Sequence, residues 1–286
     1  DRRAMNPARL AFAVGVLCAA SGCAIVDSQQ RHWIFQPGQR TWDVGAQASQ
    51  GMSDVWIEFA SEQEKQGVKL HGLWLPQTDV EAPVMLYLHG ARWDVRSSAP
   101  RMRAMHELGF SVLGIDYRGF GRSSEGLPSE DLMHEDALAA WQWLEQQQPQ
   151  ARRYLYGHSL GSSIAARLAG GSGNAAGVVL EGAFTSALDV VNTTWWRWLP
   201  MERLITQRLD AASRIDKIDA PLLVVHGALD SMVSPDLGRA LYERAKQPKR
   251  FVLIEGGLHH TLTATNQPQY RNAVLELFNL KVASTR

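Results

Sequence analysis

The sequence predicts an α/β fold: a mostly parallel, eight-stranded sheet with helices on both faces and a small helical cap. Three observations predict it. From Val84 onward, short apolar runs alternate with longer amphipathic ones, the strand–helix–strand order of a parallel sheet. Several runs, such as Val84-Met85-Leu86-Tyr87-Leu88 and Leu222-Leu223-Val224-Val225, are apolar without alternation, as strands buried on both faces are. The residues able to do chemistry fall just past the ends of such runs, where ligands of open α/β sheets bind.

Taken in order, the predicted strands are Val55–Ala60, Val68–Leu75, Val84–His89, Ser111–Asp116, Arg153–Gly157, Gly177–Glu181, Leu222–His226 and Phe251–Glu255. The first two are joined by a short link around Gly67 and should pair antiparallel. Helices are predicted near 98–108, 131–147, 160–170, 185–197, 201–210, 235–246 and 267–281. The stretch from Gly182 to Ala220 has room for two short helices and no separate lid domain. The catalytic domain is expected over 54–286.

The chain opens differently. Arg9 precedes an apolar run, Leu10 to Gly22, too short for the about 20 residues of a spanning helix but within the roughly 7–15 of a signal-peptide core. It ends Ala20-Ser21-Gly22-Cys23, which resembles a bacterial lipoprotein signal (residues 1–22) with Cys23 as the lipidated residue. Ala20 stands where such signals usually have Leu. This implies a membrane-anchored protein of the bacterial cell envelope, facing the periplasm. A secreted chain or an uncleaved N-terminal helix is the alternative. Residues 23–53 are polar and punctuated, and read as a tether with Trp33, Phe35 and Trp42 partly packed. The 29 basic residues balance 29 acidic ones, so no field favours nucleic acid. Cys18 and Cys23 both fall at the leader, leaving the body no disulfide.

The strongest chemical signal is Gly157-His158-Ser159-Leu160-Gly161, a G-x-S-x-G between a strand and a helix. Ser159 could merely cap the helix, but it has partners. A base can come from Gly256-Gly257-Leu258-His259-His260 after the last strand. His259 or His260 could serve, and the spacing favours His259. An orienting carboxylate can come from Asp230 after the seventh strand, with Glu181 as the lesser candidate. The developing oxyanion would meet the backbone N–H of Leu160 and of Ala91, with Gly90 allowing close approach. The paired histidines make a weak metal site, since neighbours in sequence rarely face one ion. No metal or organic cofactor is expected. Gly121-Arg122-Ser123-Ser124-Glu125-Gly126 lacks the spacing and lysine of a phosphate loop and reads as a turn.

With these residues in the order Ser, Asp, His, the chain resembles the α/β-hydrolase superfamily over about 54–281. Leu88-His89-Gly90 and Asp116-Tyr117-Arg118-Gly119-Phe120-Gly121-Arg122-Ser123 add to the likeness, which is strongest to the serine-aminopeptidase and lysophospholipase-like branch. The resemblance implies a serine hydrolase cleaving an ester, thioester or amide through an acyl-enzyme. An aminopeptidase, an acyltransferase with the same triad, or a non-catalytic lipid-anchored scaffold are the other readings. Relatives usually carry small residues where this chain has Arg92-Trp93-Asp94. Arg92 and Trp93, with Trp195, Trp196 and Trp198, are candidates for a substrate pocket, the tryptophans as an acyl-chain wall or a lipid-facing patch. The substrate is expected to be a small-molecule or lipid ester, and the protein a monomer.

Overall fold

The computed structural model describes residues 24–171, 174–194, 198, 201–263 and 267–280. The eight predicted strands all form: β1 (Ser53–Ala60), β2 (Gly67–Leu75), β3 (Val84–Leu88), β4 (Ser111–Ile115), β5 (Arg153–His158), β6 (Gly177–Glu181), β7 (Leu222–Gly227) and β8 (Lys249–Ile254). Their spatial order is β1-β2-β4-β3-β5-β6-β7-β8. β2 pairs antiparallel with β1 and with β4, and every pairing from β4 to β8 is parallel.

The unalternated apolar runs are explained by burial on both faces. Along β3, Leu86 and Leu88 enter one core while Met85 and Tyr87 enter the other, and β7 divides Leu222 and Val224 from Leu223 and Val225 in the same way. The first core is closed by α4 (Glu130–Gln147), α5 (Leu160–Gly171) and α7 (Pro235–Arg244), and the second by α3 (Ala99–Glu107) and α8 (Pro268–Leu277). Ser129 caps α4 by accepting the Leu132 N–H at 3.2 Å, and Glu130 and Asp131 complement the dipole in its first turn.

Two expectations need correction. Over its described residues the helix expected at 185–197 is only α6 (Ala187–Asn192), with 195–197 outside them, and 201–210 forms just a 3₁₀ turn at Met201–Arg203 before running irregularly. Its backbone is taken by tertiary partners: the Leu209 N–H donates to Glu130 Oε2 at 2.8 Å, and Arg208 O accepts from the Ala187 N–H at 2.9 Å.

The supposed tether is folded onto the body over its described residues. A helix over 24–35, α1, buries Phe35 completely. Arg31 Nε donates to Pro128 O at 2.8 Å, Arg31 Nη2 bonds Leu127 O, and Gln207 Nε2 donates to Asp27 at 3.0 Å. In α2 (Asp43–Ala48), Gly45 lies so close to the 96–97 backbone that an added Cβ would stand 2.5 Å from Ser97 Cα. The expected packing of Phe35 and Trp42 is found, whereas Trp33 is exposed; the polar composition did not signal the side-chain hydrogen bonds that hold the segment down. Residues 1–23, and so the leader and Cys23, lie outside the described residues. No helix among the described residues is long and apolar enough to cross a membrane.

Candidate active site

Four segments at the carboxyl ends of the strands build the site. After β5 the chain turns sharply into α5 with Ser159 at φ 53°, a left-handed conformation that costs an L-residue energy. The turn is possible because its neighbours lack side chains. A Cβ at Gly157 would fall 2.4 Å from Gly161 O, and one at Gly161 would fall 2.1 Å from Leu88 O. The Ser159 N–H donates to Glu181 O at 2.8 Å, which ties the turn to β6.

The structure brings three predicted residues into one chain of hydrogen bonds. Ser159 Oγ lies 2.8 Å from His259 Nε2, and His259 Nδ1 lies 2.6 Å from Asp230 Oδ2. The other Asp230 oxygen accepts the N–H groups of Met232 and Val233, each at 2.9 Å. Burial would raise the Asp230 pKa, but hydrogen bonds from His226 and His259, the nearby imidazole and the Val233 amide hold it well below the ordinary carboxylate range. An Asp230 carboxylate that stays charged fixes a proton on Nδ1 of His259 and leaves Nε2 as the acceptor facing Ser159.

The lesser candidates have other partners. Glu181 is fully buried, accepting Arg101 Nε at 2.6 Å and the Tyr156 hydroxyl at 2.5 Å. It serves as the counterion of Arg101. Burial opposes the Arg101 charge, but Glu181 beside it keeps the guanidinium firmly protonated. His260 stacks edge-on against His259 and Trp42, with ring centroids 4.8 and 5.3 Å away. Burial first, then the fields of His259 and Arg101, push its pKa down to about 4. His158, His259 and His260 each place a nitrogen within 4.8 Å of the others. These nitrogens are largely committed: both of His259 to Asp230 and Ser159, and Nε2 of His158 to His259 O at 3.1 Å.

Gly90 brings the β3 loop against the Ser159 turn, where an added Cβ would meet Ser159 Cβ at 3.1 Å. Ala91 follows it and faces the same cavity. Leu160 is the first residue of α5, so its N–H belongs to the turn without intrahelical acceptors. The cavity over Ser159 holds about 180 Å³. Arg92 and Trp93 line it as expected. Trp198 is 80% exposed and is not among its described lining, and Trp195 and Trp196 lie outside the described residues.

Sequence reasoning missed two sets of contributors. Ile34, Gln36 and Trp42 of the N-terminal segment wall the cavity, and aromatic Trp42 in a polar stretch was the available signal. Arg101 and His158 fix the His259 loop from behind through its carbonyl, at 3.4 and 3.1 Å. Nothing local in the sequence marks that role.

A parallel sheet carrying a left-handed serine turn, an imidazole and a carboxylate at its strand ends defines an α/β-hydrolase enzyme. The chain belongs to the family described as serine aminopeptidase, S33, whose profile matches residues 80–209 and 196–266. It is 34% identical over 251 residues to the uncharacterized protein Rv2307c of Mycobacterium tuberculosis, covering 87% of this chain and 86% of that one. Lysophosphatidylserine lipase ABHD12 of Danio rerio is 33% identical over 186 residues, 58% of this chain and 48% of the lipase, so the likeness spans about half of that protein. Among solved structures, the Pyrococcus furiosus esterase Pf2001 shares the fold with a TM-score of 0.65 at 21% identity, covering 85% of this chain and 96% of its own. Est1E of Butyrivibrio proteoclasticus, solved with ferulic acid, has a TM-score of 0.63 at 16% identity, over 79% of this chain and 99% of its own.

Proposed function

We propose that this enzyme is a serine esterase of lysophospholipase-like type, cleaving carboxylic esters through an acyl-enzyme. The observation that carries the reading is the hydrogen-bonded run Ser159–His259–Asp230 with Ser159 in a left-handed turn. Ser159 Oγ attacks the ester carbonyl as its proton passes to His259 Nε2. The tetrahedral oxyanion is held by the N–H groups of Ala91 and Leu160. His259 returns the proton to the leaving alcohol, and water then cleaves the acyl-enzyme by the same path. Asp230 keeps the imidazole tautomer and stabilises the imidazolium. An aminopeptidase must hold a free ammonium group, and no carboxylate occurs among the described residues lining the cavity, which favours an ester. The lysophosphatidylserine lipase of Danio rerio is a relative in keeping with this class.

A fluorophosphonate probe should label the parent at Ser159, and Ser159→Ala should lose both labelling and ester turnover, the latter by on the order of 10⁶-fold. A folded Ser159→Ala protein with unchanged turnover sinks the reading. The anchoring reading is separate. Cys23 is proposed as a lipid attachment site holding the enzyme at a bacterial envelope membrane, and Ile25, Val26 and Trp33 are exposed on the helix that follows. Radiolabelled palmitate should enter the full chain and not Cys23→Ala; equal incorporation refutes it.

A further inference from the structure

The residue after the proposed oxyanion donor is held in a way that its backbone does not favour. Arg92 adopts φ 81°, a left-handed conformation that glycine takes freely and an arginine does not. Two bonds brace it from the N-terminal segment: its N–H donates to Phe35 O at 3.0 Å, and its Nε donates to Gln36 Oε1 at 3.0 Å. Gln36 is itself left-handed, at φ 48°. The side chain is therefore oriented through Nε, with both terminal nitrogens still to be used. Among the described residues, Arg92 has no carboxylate partner. The carboxylate nearest in sequence, Asp94, is already spent on Thr41, Arg96 and Ser97.

The charge balance of the cavity points the same way. Its described lining includes no Asp or Glu. Arg101 is neutralised by Glu181 at 2.6 Å. Burial keeps His158 and His260 neutral near pH 7, and the charge of Arg92 contributes to the low pKa of His260. What remains among the described lining is one half-buried guanidinium at the wall of a small cavity beside Ser159, with a fork suited to two oxygens of an anion.

We propose that Arg92 forms an anion subsite, and that the preferred ester carries a phosphate or carboxylate group within a few atoms of the scissile carbonyl. This rests on the esterase reading above. Arg92 acts as a specificity determinant, with Gln36 positioning it.

The test uses the full chain and three glycerol monoesters with four-carbon acyl groups: butyrylglycerol, butyrylglycerol phosphate and glyceryl hemisuccinate. The first is neutral, the second bears phosphate on the alcohol, and the third bears carboxylate on the acyl side. The readout is the ratio of kcat/KM for each anionic ester to that for the neutral one, taken within one protein so that any misfolded fraction cancels. The parent should favour at least one anionic ester by about tenfold or more. Arg92→Gln should cut that ratio by about tenfold, Arg92→Lys should restore part of it, and added salt should lower it in the parent. Whichever anionic arm wins identifies phosphate or carboxylate. A parent ratio near one for both anions, or a ratio unmoved in Arg92→Gln, overturns the subsite. Failure of the parent to cleave any of the three overturns the esterase reading and the subsite with it.

Discussion

Gly161→Ala tests whether the Ser159 turn and the Gly90–Ala91 loop, proposed to carry the nucleophile and an oxyanion donor, work as one rigid unit. The new methyl carbon would stand 2.1 Å from Leu88 O and 2.6 Å from His89 O, both main-chain atoms at the end of a central strand. A comfortable carbon contact is about 3.5 Å, so relief needs a shift of more than about 1 Å. β3 is paired on both sides, so α5 must yield, carrying the Leu160 amide away from Ala91. Overpacking of this kind costs about 1–3 kcal/mol or more. At about 2–4 °C per kcal/mol for a domain of this size, the melting midpoint should fall by about 2–12 °C. The displacement of roughly 1 Å at the reacting groups should cost about 10²-fold in kcat/KM. The control is Gly171→Ala at the end of the same helix, where nothing lies within 4 Å of the added atom and stability should hold or rise slightly. Calorimetry and turnover of a soluble ester measure both. If Gly161→Ala melts within about 1 °C of the parent and keeps its activity, the packing argument is wrong.

Other perturbations separate chemistry from structure. Asp230→Asn keeps the size of the side chain but favours the wrong imidazole tautomer, so kcat should fall by about 10⁴-fold while the far-ultraviolet spectrum is unchanged. A loss under tenfold would remove Asp230 from the mechanism. His71 is buried between Asp116 at 3.1 Å and Asp54 at 2.8 Å. Burial lowers its pKa, but these two carboxylates outweigh it and hold the pKa above the ordinary value of 6.5. The stabilisation from its charge is therefore complete below about pH 6.5 and is lost as pH rises through the higher folded-state value. Urea midpoints should decline over that range in the parent and less in His71→Gln; identical slopes would exclude His71 as the cause. Trp42→Ala removes edge contacts to Trp93 at 5.2 Å and His260 at 5.3 Å, each worth about 0.5–1.5 kcal/mol for an aromatic pair. KM should rise more than kcat falls, and an unchanged KM would show that Trp42 does not face the substrate.

The strands and the three proposed catalytic residues could be read from the sequence because each rests on a local signal. Runs buried on both faces stay apolar, and Ser159, Asp230 and His259 each follow such a run by a few residues. The region 201–210 misled because its amphipathic spacing suits a helix, whereas its backbone groups are claimed by Glu130 and Ala187 from distant parts of the chain. The segment 24–52 misled for a related reason. What fixes it is a set of arginine bonds to carbonyls, Arg31 to Leu127 and Pro128, and Arg103 to Ala48 and Gln50, and such pairings leave no periodicity to read. The Arg92 brace depends on Gln36 far away in sequence and was invisible for the same reason.

That N-terminal segment gives the enzyme a division of labour. The groups proposed to react stand on the sheet, while Ile34, Gln36 and Trp42 close over them from a stretch that holds none of those groups. Substrate range can therefore drift through changes at the cavity-facing residues of this segment with less cost to bond-breaking than changes on the sheet would bring. A chain begun at residue 54 would retain Ser159, Asp230 and His259 yet present them in an unroofed trough, with Arg92 released from its brace. Such a truncation should behave as a less discriminating hydrolase, and selectivity could be transplanted between relatives by exchanging this one stretch.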